Sequence, residues 1–510
     1  MDQLFAFDFR GPIDSARLES SCKLLVERHS ALRTIFAVRD GQIQQIVLKS
    51  HDPEFNHYMT IKDSKTLLET LCQAEKHCGI ELKDKVVHFL LMNRGISDST
   101  LIMRICHTQF DGTSLPLLYR DLQRSYTRLN LPQAPQFSSF IKDLQSKDTS
   151  EGESYWRTLL KDSHATSILH HSTPPYKNTI NADVHHIISS LPLTSLQFYG
   201  LNLATLVKAS WAYFISSLSG TTDVVFAFVT TGRNMPISGG AENVVGCCNN
   251  VIPHGVKLHE AQTVLALLKQ VQSQQIASIP YENVGARTLI ERCTSWPRYT
   301  RYSSGINVQK YTNAALKSFT MDENTTCEVS FQDLEFDRRD VQIYSYPPSK
   351  EDGSMKLSMA FCGHAIPVEV AQSMIDSLAE TMVKFAGGLE RKLVLPNGEL
   401  KEPLRKIPMH WTNDTYNFEF PRPLSFSFAL LDPAEVVWRV WTTFMKHVRI
   451  PEGLDVTEDT PFYGLGGDWV YVAWVRELYR VEGWEVSMED LVDRGCRREQ
   501  EVMLREAVEG

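Results

Sequence analysis

Between residues 389 and 431 every regular pattern in the chain lapses. The stretch LVLPNGELKEPLRKIPMHWTNDTYNFEFPRPLS, which begins at Leu393, is dense in proline and polar residues and keeps neither a helical nor a strand period. Such a segment reads as a linker, here placed at 391–431. It forces the chain into at least two separately folded parts, a long front part and a short tail. The 510 residues also exceed what one hydrophobic core fills, so about three domain-sized units are expected.

The front part mixes strand and helix signals. LFAFDFRG (4–11) alternates apolar and polar residues and ends in glycine, which predicts a strand. SARLESSCKLLVERHSAL follows the turn residues Pro12 and Asp14 with apolar residues at helical spacing. TIFAVRDGQIQQIVL predicts a hairpin, because Asp40-Gly41 tolerates the positive φ of a tight turn. TLIMRICH is almost wholly apolar and predicts a buried strand. From about 180 to 388 the mixture resumes, with DVVFAFVTTG as a strand and ALLKQVQSQQIA as a helix. The units expected are therefore 1–172, 173–390 and, after the linker, 432–510.

The tail predicts helices throughout. Val437, Val440, Trp441, Phe444 and Val448 form one apolar stripe, and Val470, Ala473, Trp474 and Leu478 a second. Ser487 and Asp490 have capping-box spacing at the start of a third helix. Six of the nine tryptophans lie beyond residue 400 and give this small unit the means to build a core.

Composition narrows the function. The net charge of -9, with no basic block, argues against general nucleic-acid affinity. No window holds the roughly 18 to 20 apolar residues of a membrane span, and the opening MDQLFAFDFRG lacks a secretory n-region and h-region. Ten scattered cysteines without C-x-x-C spacing, two of them the neighbours Cys247 and Cys248, suit a reducing compartment. A cytoplasmic location is expected, which leaves the sequons at Asn324 and Asn413 without a role. No metal site is expected: His170-His171 and His185-His186 lack both a helical spacing and an acidic third ligand. Neither G-x-S-x-G nor a Walker A loop is present.

One constellation carries chemistry. In RICHTQFDGTSLP (104–116), His107, Asp111 and Gly112 form H-x-x-x-D-G. Taken alone it fits a core histidine followed by an ordinary Asp-Gly turn. Its placement says more, because His107 ends a buried strand that can deliver a side chain into a cavity, and Gly112 allows close backbone approach. RHSALRTIF (28–36), the 107–112 loop, SYWRTLL (154–160), TTGRN (230–234), VVGCCNNVIP (244–253) and PYENVG (280–285) occur in one order. In order and spacing, residues 1 to about 390 resemble the condensation domain of nonribosomal peptide synthetases, especially fungal ones. TPFYGLGGDW (460–469) followed by VSMEDLVDRG resembles a peptidyl-carrier domain.

The resemblance implies an α/β (α+β) fold of two chloramphenicol-acetyltransferase-like lobes, a V-shaped pseudo-dimer, with a C-terminal four-helix bundle. It implies an acyl or peptidyl transferase that joins a carrier-bound thioester to an amine or hydroxyl in secondary-metabolite biosynthesis. His107 would be catalytic and Gly112 would keep the substrate passage open. Asp111 would anchor the loop through an arginine, for which Arg33 and Arg233 are both candidates. The opening strand matches one that in the family follows a few dozen further residues, so the first lobe is expected to be N-terminally shortened. Two residues depart from the pattern. Cys106 stands where the family usually has a first histidine, and is expected to be a buried structural thiol. Trp469 stands where a carrier has the serine that takes phosphopantetheine, so no cofactor is expected on this chain, only on carrier partners acting in trans.

Rival readings are weaker. A plant-type coenzyme-A-dependent acyltransferase would also carry D-F-G-W-G, which is absent, and a cyclisation domain would have aspartate at 106. The non-enzymatic alternative is an impaired synthetase fragment that only docks carrier proteins.

Overall fold

The computed structural model describes residues 2–39, 42–59, 87–95, 97–168, 182–234, 240–260, 262–296, 300–309, 317–333, 339–363, 365–394 and 432–447, with scattered positions at 66–71 and 457–509. Two six-stranded sheets organise the front part, one in each lobe.

Strand β1 (Asp2–Arg10) lies inside the first sheet, antiparallel to β6 (Asp98–Cys106) on one side and to a strand from much later in the chain on the other. Side chains alternate across a strand, so Phe5, Phe7 and Phe9 all enter the core built with helices α1 (Ser15–Arg28) and α2 (Ser114–Tyr126). Leu4 and Ala6 pack on the opposite face with Ile102. Burial on both faces explains the dense run of apolar residues. Asp8 interrupts it, yet its carboxylate accepts from Thr100 Oγ1 at 2.5 Å and pairs with Arg94 at 3.5 Å. Each buried phenylalanine contributes about 1.5 to 3 kcal/mol, which offsets the cost of one buried but partnered carboxylate. As expected, α1 starts at Asp14, whose side chain accepts from the Arg17 N–H at 3.0 Å. The predicted hairpin forms from β2 (Thr34–Arg39) and β3 (Gln42–Val47); Asp40 and Gly41 lie outside the described residues.

The first sheet is completed by β4 (Glu54–Met59) and β5 (His88–Asn93) at one edge. At the other edge stand β11 (Ser318–Asp322) and β12 (Thr325–Asp333). These last two cross the expected boundary at 172: residues 318–333 lie in the second unit by sequence and in the first sheet by pairing. The register runs from Gln3↔Asp333 to Arg10↔Thr326, and Met321, Cys327 and Val329 fill the first core. Helix α3 (Ser150–Leu159) crosses the boundary the other way, for its Trp156 is fully buried in the second core and donates to Tyr281 O at 3.1 Å.

The second sheet has the order β7 (Ala182–Ile188), β14 (Met355–Phe361), β13 (Val341–Ser345), β10 (Ser304–Val308), β8 (Asp223–Thr230) and β9 (Asn250–Lys257). Its middle strands β13, β10 and β8 run parallel. Helices α4 (Leu203–Ser219), α5 (Val264–Ser278) and α6 (Val368–Ala386) contribute to the same core. In the tail, α7 (Pro433–His447) and α8 (Arg497–Glu509) pack together. Val437, Val440, Trp441 and Phe444 are buried as the stripe predicts. Of the second stripe, Leu478 is described and is half-buried, between buried Val475 and Tyr479. Val448, Val470, Ala473, Trp474 and Ser487 lie outside the described residues. Buried Gln500 joins the elements, its Oε1 accepting from Trp441 Nε1 and Tyr479 OH at 2.7 Å each. Among the described residues, no helix is long and apolar enough to cross a membrane.

Candidate active site

Strand β6 ends at Cys106, and the chain turns at once. The Gln109 N–H donates to Cys106 O at 2.9 Å, which leaves His107 and Thr108 at the tip of the turn. The His107 ring is half-buried and lies against Phe110, centroids 4.8 Å apart and planes 25° apart. Phe110 is itself fixed in the first core, edge-on to Phe5 at 5.5 Å. The imidazole therefore has a rigid apolar support on one face. Neither of its nitrogens has a hydrogen-bond partner among the described residues.

Asp111 is 2% exposed and faces the other way. Its carboxylate accepts from Ser114 N at 3.0 Å and Ser114 Oγ at 2.9 Å, which ties it to the start of α2. Negative charge is favoured there by the helix dipole. The same carboxylate takes Arg233 Nη2 at 2.6 and 2.7 Å and Cys248 N at 3.0 Å. Arg233, Gly246 and Cys248 belong to the second lobe, so this one side chain joins the two. The Arg233 side chain is 5% exposed and also donates to Ala241 O, Val244 O and Gly246 O at 2.8, 2.7 and 3.2 Å. Gly232, at φ +62, is needed beside it: a Cβ there would overlap Cys248 O.

Of the two arginine candidates, Arg233 meets Asp111 and Arg33 does not. Arg33 ends a short turn, Ser30–Arg33, and its guanidinium donates to Leu48 O at 2.5 Å and Glu27 O at 3.4 Å. Arg33 braces the β2–β3 hairpin, because its position before β2 directs it toward the end of β3. Gly112 is exposed, and the nearest atom to a Cβ built on it would be Gln309 Oε1, at 3.9 Å, from the end of β10 in the second sheet. Cys106 is buried, and its Sγ accepts from Thr108 Oγ1 at 3.1 Å. Burial pushes the Cys247 and Cys248 thiols up to about 12, which keeps both protonated at neutral pH. Trp469 lies outside the described residues, as do His170 and His171. His185 and His186 lie on β7, where His186 Nδ1 sits 2.7 Å from Asp376. Among the described residues, no group of three or more His, Cys, Asp and Glu is placed to hold a metal ion.

The RHSALRTIF segment acts beneath the loop. Buried His29 lies 3.0 Å from Asp121 of α2, and Arg28 Nε donates to the same oxygen at 2.7 Å. Burial alone would raise the Asp121 pKa, but its bonds to His29, Arg120 and Arg28 prevail and hold it well below the carboxylate range. Three site residues escape a motif reading: Ser114, Cys248 through its backbone, and Gln109. The Asp111-x-x-Ser114 spacing signals the first; nothing local signals the other two.

A half-buried histidine on a loop that a buried ion pair bonds to both α/β lobes fits the chloramphenicol-acetyltransferase-like scaffold. The model of the condensation domain matches residues 2–393, and the chain belongs to that family. It is 35% identical over 306 residues to nonribosomal peptide synthetase apmB of Penicillium brevicompactum, covering 60% of this chain and 13% of that protein. It is 28% identical over 498 residues to nonribosomal peptide synthetase 1 of Aspergillus fumigatus (strain Af293), covering 96% of this chain and 8% of that one. The chain thus spans a small part of the curated relatives it matches. The crystal structure of holo T3CT superposes with a TM-score of 0.66 at 24% identity, over 77% of this chain and 89% of that one. Other similar structures are condensation domains of biosynthetic synthases and synthetases.

Proposed function

We propose that this chain transfers an acyl or peptidyl group from a carrier-bound thioester to an amine, or a hydroxyl, on a second carrier, as condensation domains do in nonribosomal peptide synthesis. The observation that carries the reading is the His107 ring: braced on one face by Phe110, half-exposed, and unpaired at both nitrogens among the described residues. A structural histidine looks different, as His29 does, buried against Asp121.

The chemistry sets what His107 has to do. A free α-amine has a pKa of about 7.7 to 8.0, so roughly a tenth is already deprotonated at neutral pH. Freeing the remainder is worth only about 1 kcal/mol, whereas positioning contributes on the order of 7 to 11 kcal/mol. His107 therefore acts mainly by orienting the attacking nitrogen and receiving its proton as the carbon–nitrogen bond forms and the carbon–sulfur bond breaks. The proton taken from the nitrogen then passes from the imidazole to the leaving thiolate, which departs as the carrier's free thiol. For a hydroxyl acceptor, general-base work by the imidazole would carry more of the barrier. Gly112 would keep the space toward Gln309 free for the reacting arm. Asp111, Arg233 and Cys106 are structural in this reading. Phosphopantetheine would reside on the partner carriers, since the indole of Trp469 offers no hydroxyl to take the arm.

The test supplies the full chain with one acyl-loaded and one aminoacyl-loaded carrier protein and follows both by intact mass. Loss of the acyl group from the donor with equal gain on the acceptor is expected. Carrier binding without transfer would overturn the enzyme reading in favour of a docking fragment.

A further inference from the structure

We infer that Gln109 is a positioning residue for His107. Gln109 is 1% exposed although it is polar and sits between two loop residues with evident roles. A buried amide is costly unless its donors and acceptor are engaged. Here both ends are. Its Oε1 accepts from Cys106 N at 3.3 Å, while its backbone N–H donates to Cys106 O at 2.9 Å, so Gln109 closes the turn around His107 from both sides. Its Nε2 donates to Ala31 O at 2.9 Å.

That carbonyl is a firm anchor. Ala31 is 1% exposed, and the residue before it donates its N–H to Gln136 Oε1 at 3.0 Å. Two residues before it, His29 is pinned to Asp121. The side chain of Gln109 therefore ties the tip that carries His107 to the RHSALRTIF segment, much as Asp111 ties the other end of the loop to the second lobe. With Asp111 alone the loop would be held at one end. The Phe110 ring sets the plane of the imidazole, and Gln109 sets where along that plane it lies.

The kinetic part of the test rests on the transfer reading; a second readout does not. Gln109→Met keeps length and shape and removes both hydrogen-bonding ends; Gln109→Glu keeps the acceptor for Cys106 N and loses the donor to Ala31 O. In the full chain, Gln109→Met is expected to lower kcat by about tenfold to a hundredfold, with KM for each loaded carrier within about twofold of wild type. Histidine labelled with carbon-13 at Cε1, and assigned with His107→Ala, reports the ring directly: stacking on Phe110 shifts the His107 proton upfield. That shift should shrink in Gln109→Met while the other histidine signals stay in place. An unchanged kcat, or a slowed enzyme whose His107 signal has not moved, overturns the inference. If Gln109→Met fails to fold, Gln109→Glu is read in its place by the same criteria. If wild type transfers nothing, the transfer reading fails and the His107 shift alone decides the role of Gln109.

Discussion

Replacing Asp111 by asparagine keeps the shape of the side chain and removes its charge. The wild-type carboxylate accepts from Arg233, Ser114 and Cys248 at 2.6 to 3.0 Å. An asparagine must turn its NH₂ toward one of these donors, and it leaves the buried Arg233 without a counter-charge. Breaking a buried pair from one side costs about 3 to 5 kcal/mol. Arg233→Met should cost a similar amount, about 3 to 5 kcal/mol, because it strands the Asp111 charge and takes the guanidinium donor from three backbone carbonyls. In the double variant neither charge is stranded, so its cost should fall about 2 to 3 kcal/mol below the sum of the singles, the upper part of the range for contacting residues. Urea unfolding followed by tryptophan fluorescence, with unchanged m, gives each value. Additivity within about 0.5 kcal/mol would refute the claim that this pair is the joint between the lobes.

Two further outcomes follow from other residues. Lys208 of α4 is fully buried, its Nζ 4.3 Å from the Phe228 ring centroid and bonded to Gln275 Oε1, and burial lowers its pKa to about 7 despite the opposing pull of Glu282. Between about pH 7 and 10.5 the unfolded chain binds a proton that the folded chain has released, so stability should rise with pH across that window by up to about 5 kcal/mol. Nearby His254 is kept neutral there by burial, which also raises the pKa of Glu282 against the pull of its bond from Asn234. Lys208→Met should abolish the rise in urea unfolding, and a rise that persists would place its source elsewhere. In the tail, Trp469→Ser should accept the arm from a phosphopantetheinyl transferase and coenzyme A, seen as added mass absent from wild type; no added mass would mean that the tail departs from a carrier by more than this residue.

Much of the scaffold was legible because it is encoded locally. The period-two run of β1, the Asp14 cap of α1 and the Val437–Phe444 stripe each follow from neighbours in sequence. The pairing of β12 with β1 was not. Cys327 and Val329 alternate as a strand should, but nothing local says which sheet they join, and a partner more than three hundred residues away in sequence is found only in three dimensions. The same limit applied at the site. His107, Asp111 and Gly112 were visible as a motif, whereas Arg33 and Arg233 were equivalent until Arg33 was seen to bond Leu48 O. Gln109 carries no signal in the sequence because a glutamine in a loop is usually solvated, and its partner, Ala31 O, is a backbone atom that no side-chain pattern reveals.

The most direct measurement of His107's role is the single-turnover rate of transfer between two loaded carriers, wild type against His107→Ala. Removing a group that orients the nucleophile and takes its proton should lower that rate by about a hundredfold or more, with carrier binding and folding retained. A variant as fast as wild type would contradict the assignment of the transfer step to this imidazole.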